Sequence, residues 1–132
     1  MKITVDTNVL LRDAVQDDPR QARIAAKALR DAEQIVIPLT VLCEFAWVLR
    51  SNYKIAARDI ANAIEQLIET SDIITNRPAI EAGLAILRAG GDFADGALAF
   101  EGRQLGGEQF VTFDAKAAAL LNIQDIPTTL LS

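Results

Sequence analysis

The sequence predicts an α/β fold in which helices cover both faces of a mostly parallel sheet. Two observations lead to this prediction: short runs rich in β-branched and aromatic residues recur along the chain, and stretches with a helical hydrophobic period separate them. Strands that alternate with helices are typical of a parallel sheet, because each parallel crossover needs a long connection. The chain has 132 residues, of which 51% are hydrophobic. We therefore expect one domain, residues 1–132, that buries its own core.

The elements can be placed in order along the chain. Five runs predict strands, over residues 3–5, 35–37, 73–74, 110–113 and 128–131. Seven stretches predict helices, over residues 9–14, 21–32, 40–52, 58–70, 79–88, 93–105 and 115–121. Asp18 and Pro19 supply a cap and a first-turn proline for the second helix. The glycine pairs at 90–91 and 106–107 each predict the end of a helix.

Residue composition excludes several classes of active site. The chain has no histidine and a single cysteine, Cys43, so it cannot form a Ser-His-Asp or Cys-His triad or a Cys/His zinc site. One thiol forms no internal disulfide, which favours a reducing compartment such as the cytoplasm. An enzyme with this composition must therefore work with carboxylates.

The charge balance restricts the partners. Thirteen Lys and Arg residues against 18 Asp and Glu residues give a net charge of −5. This charge disfavours a protein that grips nucleic acid mainly by neutralising phosphates, and it suits a protein that binds cations or a basic partner. The longest apolar stretch, residues 35–49, is shorter than the roughly 18 residues of a membrane span and is interrupted by polar residues. We therefore expect a soluble cytoplasmic protein with no membrane partner.

Two acids follow strands of the predicted sheet and precede helices. Asp6 comes after the first strand, and Asp114 repeats the pattern after the fourth. Ligands in open α/β sheets bind at the carboxyl ends of strands, which favours a functional role for both. A helix cap is the alternative for either residue alone.

Three further acids lie on predicted helices. Glu44 has the apolar neighbours Val41 and Val48 at helical spacing, so we expect a buried carboxylate that needs an arginine or a metal as its partner. Asp92 fits an N-cap whose third helical residue is Asp95. Asp95 is followed on its own face by apolar residues, so we expect it to point inward.

A cluster of ionised carboxylates needs a cation. At ~5 Å and an effective dielectric constant of ~20, each pair repels by about 3 kcal/mol. All-oxygen ligands favour Mg²⁺ or Mn²⁺, which can activate a water and neutralise a phosphodiester without any imidazole. An acidic pocket that binds a polyanion through metal would reconcile the net charge with a nucleic-acid substrate.

At this point the pattern resembles a known family. The motifs that carry the resemblance are Asp6-Thr7-Asn8 after the first strand, Glu44 in the helix after the second, Asp92 and Asp95 at the start of a late helix, and Thr112-Phe113-Asp114 after the fourth strand. In this order and over the whole chain they resemble the PIN-domain ribonucleases, and especially the VapC toxins of bacterial and archaeal toxin-antitoxin pairs. The resemblance implies a PIN-like parallel sheet with strand order 3-2-1-4-5 and a Mg²⁺- or Mn²⁺-dependent endoribonuclease.

The resemblance also implies roles for individual residues. Asp6, Glu44, Asp95 and Asp114 would be the catalytic and metal-binding quartet, with Asp6 and Asp95 as direct ligands. Asp92 would be a fifth acid at the rim, and Asn8 and Thr112 would orient carboxylates or water. A homodimer and a cognate antitoxin that blocks the pocket are implied as partners. Gly96 departs from the family's usual alanine, which questions the rigidity of its helix.

Other interpretations remain open at this stage. Four basic residues are candidates for guiding RNA along the rim or, equally, for solvated helix charges: Arg12, Arg50, Lys54 and Arg103. A haloacid dehalogenase-like phosphatase or phosphotransferase would use Asp6 as its nucleophile, but it expects a second acid where Asn8 stands. A response-regulator receiver gives no role to Glu44. A non-catalytic interaction module would use the acids as caps and ion pairs.

Overall fold

The computed structural model describes all residues, 1–132, and contains five strands and seven helices in alternation. The strands are β1 (Lys2–Thr4), β2 (Gln34–Val36), β3 (Ile73–Ile74), β4 (Phe110–Thr112) and β5 (Thr128–Leu130). The helices are α1 (Thr7–Val15), α2 (Pro19–Asp31), α3 (Leu39–Ser51), α4 (Ala57–Glu69), α5 (Arg77–Arg88), α6 (Phe93–Gln104) and α7 (Ala115–Ile123). Every predicted element is confirmed, and only the ends are shifted. None of the helices has the length and apolar character needed to cross a membrane.

The strands form two small parallel sheets. The first has the order β1-β2-β3, and the second contains β4 and β5. The predicted continuous order 3-2-1-4-5 is therefore wrong at its centre, because β1 and β4 are not hydrogen-bonded to each other. Strands of two or three residues offer few hydrogen bonds along each edge, so the halves of the domain can be joined by helix packing instead.

The packing of α5 against α6 supplies this connection. An added Cβ at Gly96 would lie 2.5 Å from the carbonyl oxygen of Ala82, and one at Gly83 would lie 2.7 Å from the ring of Phe93. Because neither glycine has a side chain, the two helix backbones can approach closely. The helix that follows β3 is thereby fixed against the helix that precedes β4.

Local sequence explains where the helices begin and end. The carboxylate of Asp18 accepts a hydrogen bond from the Gln21 amide at 3.1 Å and caps α2, with Pro19 in its first turn. Gly90 (φ +99°) and Gly106 (φ +104°) adopt the left-handed conformation after α5 and α6, which glycine enters without steric cost. The predicted helix ends at both glycine pairs are confirmed.

Two groups of buried side chains form the interior. The larger contains 21 residues and lies among α1, α3, α4, α5 and the first sheet, and its fully buried members include Leu42, Ile60, Ile64 and Ile80. The smaller contains Ile86, Ala99, Leu121 and Ile126 and lies beside the second sheet. Buried side chains of α6 and α7 belong to these groups. The packing therefore fixes the two helices whose first turns carry Asp92, Asp95 and Asp114.

Candidate active site

Three of the singled-out acids line one cavity, which we call the acidic pocket. Asp92 and Asp95 belong to the start of α6, and Asp114 lies between β4 and α7. Two cations complete the rim: Arg50 in the last turn of α3 and Lys116 in the first turn of α7. The pocket has a volume of about 100 Å³. Residues distant in sequence thus place three carboxylates and two cations around one cavity.

Electrostatics confirm that these carboxylates affect one another. Burial raises the pKa of Asp95, and the negative charges of Asp92 and Asp114 raise it further. Asp95 is partly buried, so the expectation that it points inward is confirmed in part. Because like charges disfavour ionisation, a cation bound among these groups would relieve a repulsion that already exists.

Asp92 is an N-cap residue whose carboxylate makes no capping bond. It occupies the N-cap position of α6, as the sequence predicts, but its side chain makes no capping hydrogen bond. By contrast, Asp114 caps α7 by accepting from the Ala117 amide at 3.0 Å. An N-cap side chain ordinarily satisfies one of the free amides of the first turn. The carboxylate of Asp92 is therefore available to a ligand.

Asp114 is held in place by its neighbours. The hydroxyl oxygen of Thr112 accepts a hydrogen bond from the Asp114 amide at 3.0 Å, which fixes the turn between β4 and α7. The cap to Ala117 uses Oδ1 of Asp114, and its other carboxylate oxygen makes no hydrogen bond. Thr112 thus acts on the backbone that carries the carboxylate.

Asp6 and Asn8 lie in a different groove, between α1 and α2. Asp6 is exposed and caps α1 by accepting from the Val9 amide at 3.2 Å. Together with Asn8 it lines a groove that also contains Arg12 and Arg20. The structure therefore places Asp6 at the carboxyl end of β1, as the sequence predicts, but not on the lining of the acidic pocket.

Glu44 is exposed, so the prediction that it is buried is wrong. The side chains of α3 that enter the core include Leu42, Phe45 and Leu49. Val41 and Val48, whose spacing suggested an apolar face, lie at the edge of that core and are only partly buried. An exposed carboxylate needs no buried partner, so burial supplies no argument for a metal at Glu44.

The four basic candidates have different surroundings. Arg12 donates to Gln21 at 2.7 Å and pairs with Asp17 at 3.2 Å. Arg103 donates to a backbone carbonyl at 3.4 Å, and Lys54 is exposed with a left-handed backbone (φ 56°). Of the four candidates, Arg50 is the one that lines the acidic pocket.

Lys116 was missed by the sequence reasoning. It lines the acidic pocket beside Asp114. The available signal was its position, two residues after an acid that begins a helix, because first-turn side chains lie around the same helix end. This cation and Arg50 reduce the net negative charge that an approaching anion meets.

The acidic pocket fits a divalent ion that keeps part of its water shell. No group of three or more Cys, Asp and Glu side chains is arranged to hold a metal by itself, so the four acids of the predicted quartet are not gathered into one cage. Mg²⁺ does not need such a cage, because it is commonly bound through one or two carboxylates, several waters and the substrate phosphate. Asp95 and Asp114, with the free carboxylate of Asp92, supply that donor chemistry.

Comparison with known proteins identifies the family. The PIN domain family matches residues 3–120. No curated protein matches the chain, and no solved structure matches it. Nothing in the structure or in the family match supports the phosphatase or the interaction-module alternative. The acids after β1 and β4, the paired acids that begin α6 and the match over most of the chain lead to one conclusion: this chain belongs to the PIN domain family.

Proposed function

We propose that this PIN domain is a metal-dependent endoribonuclease and the toxin of a type II toxin-antitoxin pair. PIN domains are generally metal-dependent nucleases, so the chain is a hydrolase that acts on nucleic acid. RNA as the substrate, Mg²⁺ or Mn²⁺ as the ion and the toxin role are the parts that we propose. The observation that carries the proposal is the shared pocket of Asp95 and Asp114, with the pKa of Asp95 raised.

The proposed roles rest on the pocket lining for Asp92, Asp95 and Asp114, and on the motif pattern for the other residues. Asp95 and Asp114 hold the ion from α6 and α7, and Asp92 contributes from the rim. Asp6 and Glu44 are proposed as the remaining acids of the site, Asp6 as a direct ligand, because they occupy the family's motif positions. Asn8 and Thr112 are proposed to orient the acids beside them, and the hydrogen bond from the Asp114 amide to Thr112 supports this role. When bound, the ion would supply positive charge that activates a water and neutralises the phosphodiester.

The bond change that we propose is a hydrolysis. Water attacks the phosphorus in line and the bond to the 3′ oxygen breaks, which leaves a 5′-phosphate and a 3′-hydroxyl. The chain has no histidine to serve as base or acid, so we propose that the carboxylates of the pocket position the water and accept its proton, and that the departing 3′ oxygen takes a proton from solvent. Recovery of 2′,3′-cyclic phosphate ends would contradict this course.

The distribution of charge supports a polyanionic substrate in spite of the net charge of −5. Arg50 and Lys116 stand on opposite elements at the rim of the acidic pocket. Neither residue takes part in an ion pair; the side-chain cations that do are Arg12, Lys27, Arg58 and Arg88. Both are therefore free to contact phosphates on either side of the cleaved bond. Arg12, Lys54 and Arg103 are proposed as more distant contacts.

The proposed partners are a cognate antitoxin and a second copy of this chain. Their support is the resemblance of the motif pattern to the VapC toxins. Phe113 and Ile123 are apolar residues that are 77% and 74% exposed, so they offer surface for protein partners. A single thiol supports a reducing compartment, and we propose the cytoplasm.

An RNA cleavage assay tests the proposal. The purified chain is incubated with end-labelled single-stranded RNA and Mg²⁺ or Mn²⁺, beside Asp95→Asn and the matched surface variant Asp125→Asn. Asp125 is exposed and has a left-handed backbone (φ 61°) that asparagine tolerates. We expect wild type and Asp125→Asn to cut RNA at equal rates. The cleavage rate of Asp95→Asn should be at least about 100-fold lower, which is the scale of removing a key electrostatic group. Uncut RNA, or equal cutting by Asp95→Asn, would overturn the proposal.

A further inference from the structure

A second cavity adjoins the acidic pocket, and we call it the Trp47 cleft. It has a volume of about 190 Å³, and its lining includes Cys43, Ala46, Trp47, Leu87 and Phe93. Arg50 and Asp92 line both the cleft and the acidic pocket. The two cavities are therefore neighbours: the Trp47 cleft is mostly apolar, and the acidic pocket is mostly polar.

Trp47 is the unusual residue of this cleft. It is the only tryptophan of the chain, and it is 62% exposed on α3 although most of its apolar neighbours are buried. Tryptophan buries a large apolar area when it is covered, so an exposed ring on a groove wall is a marker of recognition. Phe45 and Leu49, which flank it in sequence, are 3% and 2% exposed and belong to the core. The core therefore does not account for Trp47.

Arg50 stands one helical turn after Trp47, so the two side chains are neighbours on the surface of α3. Its guanidinium makes no ion pair, although Asp92 lines the same cavities. Cys43, one turn before Trp47 on the same helix, adds no charge to this wall, because burial, assisted by the carboxylate of Glu101, raises the pKa of its thiol to about 11. Asp92 is the one acidic group in the lining of the cleft. An aromatic face beside a free cation is the combination that binds a base and its phosphate.

We propose that the Trp47 cleft binds one unpaired nucleobase of the RNA, stacked on the indole, while Arg50 contacts the phosphate that leads from this base into the acidic pocket. The inference rests on the proposed function, since it names the part of the substrate that lies beside the cleaved bond. The cleft is smaller than the roughly 300 Å³ or more of a drug-sized site, which suits a single planar group. Because a paired base cannot leave its helix without cost, the cleft selects single-stranded segments.

The fluorescence of the single tryptophan reports directly on this site. We would titrate the full chain with a short single-stranded RNA in EDTA, where hydrolysis is not required, and follow both Trp47 emission and the anisotropy of a label on the RNA. Stacking should quench the emission in parallel with the rise in anisotropy. A double-stranded RNA of the same sequence should quench less. Binding that leaves the emission unchanged, or no binding at all, would overturn the proposal.

Variants separate stacking from other effects. Trp47→Ala should raise the dissociation constant about tenfold, within the 1–3 kcal/mol of base–aromatic stacking, and Trp47→Phe should retain most of the affinity. Leu105→Ala is the matched control, because Leu105 is exposed and lines neither cavity. In the Mg²⁺-dependent assay, Trp47→Ala should raise KM and change kcat by less than about threefold, the pattern of lost ground-state binding.

Three further outcomes are decisive. If Trp47→Ala leaves RNA affinity unchanged but converts a dimer into a monomer in light scattering, the cleft belongs to a second copy of this chain and the proposal is wrong. If RNA is bound with quenching but never cut in Mg²⁺ or Mn²⁺, the stacking site stands and the proposed nuclease function fails. If RNA is cut but Trp47 emission does not respond, the nuclease stands and the stacking site fails.

Discussion

Gly96 of α6 contacts the backbone of α5 so closely that an added Cβ would lie 2.5 Å from the carbonyl oxygen of Ala82. The motif pattern of the family usually has alanine at this position, and the glycine raised a question about the rigidity of the helix. The structure answers it, because the glycine lets α6 pack tightly against α5. The neighbouring Asp95 is thereby positioned by packing.

The first prediction is that Gly96→Ala destabilises the fold. The Cβ would also meet Cγ1 of Ile86 at 2.7 Å, so the two helices must separate, at a cost of about 1–3 kcal/mol for overpacking. The gain in helix propensity, about 1 kcal/mol, offsets only part of that cost. Urea denaturation followed by circular dichroism should show a lower midpoint.

Gly102 provides the matched control in the same helix. A Cβ added there meets nothing within 4 Å, so Gly102→Ala should raise the free energy of unfolding by roughly 0.5–1 kcal/mol through the loss of backbone freedom in the unfolded chain. If Gly96→Ala were as stable as Gly102→Ala, the described approach of α5 and α6 would be incorrect.

The second prediction concerns two N-cap aspartates. Asp18→Ala removes a capping hydrogen bond of 3.1 Å and should cost about 1 kcal/mol. Asp92→Ala removes a carboxylate that makes no such bond, so it should change stability by less than about 0.5 kcal/mol. Thermal unfolding in EDTA measures both. An equal loss in the two variants would mean that Asp92 is an ordinary cap with no freedom to bind a ligand.

The third prediction is a pH dependence that is carried by Asp95. Burial, and then the charges of Asp92 and Asp114, raise the pKa of Asp95 in the folded state, so the folded chain holds this proton to a higher pH than the unfolded chain. The Asp95 contribution to stability therefore falls as pH rises from about 4, and it levels off once the folded state has also ionised. Asp95→Asn should remove this loss.

The measurement compares the free energy of unfolding of wild type and Asp95→Asn in EDTA across that pH range. Because Asp95 is only partly buried and water screens it, we expect the Asn variant to be more stable at neutral pH by less than about 1 kcal/mol. The difference in the free energy of unfolding between the two proteins should vanish near pH 4. When Mn²⁺ is added, its binding should make the wild type the more stable protein. If the stability advantage of Asp95→Asn instead grew toward acid pH, the pKa of Asp95 would not be raised in the folded state.

The fourth prediction separates two arginines that the sequence could not distinguish. Arg12 is engaged with Asp17 and Gln21, so Arg12→Ala should lower stability by up to about 1 kcal/mol and change RNA affinity little. Arg50→Ala should leave stability unchanged, weaken RNA binding and reduce the salt dependence by about one counterion. Affinity measured at several salt concentrations checks both, and equal effects on RNA would remove the special role of Arg50.

The sequence predicted the features that neighbouring residues determine, and it did not predict those that depend on contacts between distant segments. Hydrophobic period and glycine placement located every helix and strand, and the repeated position of Asp6 and Asp114 after strands located two strand ends. These features are local. The exposure of Glu44 could not be predicted in this way, because residues at helical spacing can belong to the edge of an apolar stripe as well as to its centre.

The features that the sequence did not predict depend on contacts between distant segments. β1 and β4 lie in separate sheets, and α5 and α6 approach each other closely at Gly96. The common groove of Trp47, Arg50 and Asp92 likewise joins α3 to α6. Side chains that meet only after folding leave no periodic signal in the sequence.

Counting bound Mn²⁺ by electron paramagnetic resonance tests the central claim most directly, namely that Asp95 and Asp114 hold a divalent ion between α6 and α7. Wild type and Asp125→Asn should bind Mn²⁺ alike, while Asp95→Asn and Asp114→Asn should each weaken binding at least about tenfold, the lower end for loss of a metal-site group. No Mn²⁺ uptake by the wild type, or equal uptake by Asp95→Asn, would contradict the account.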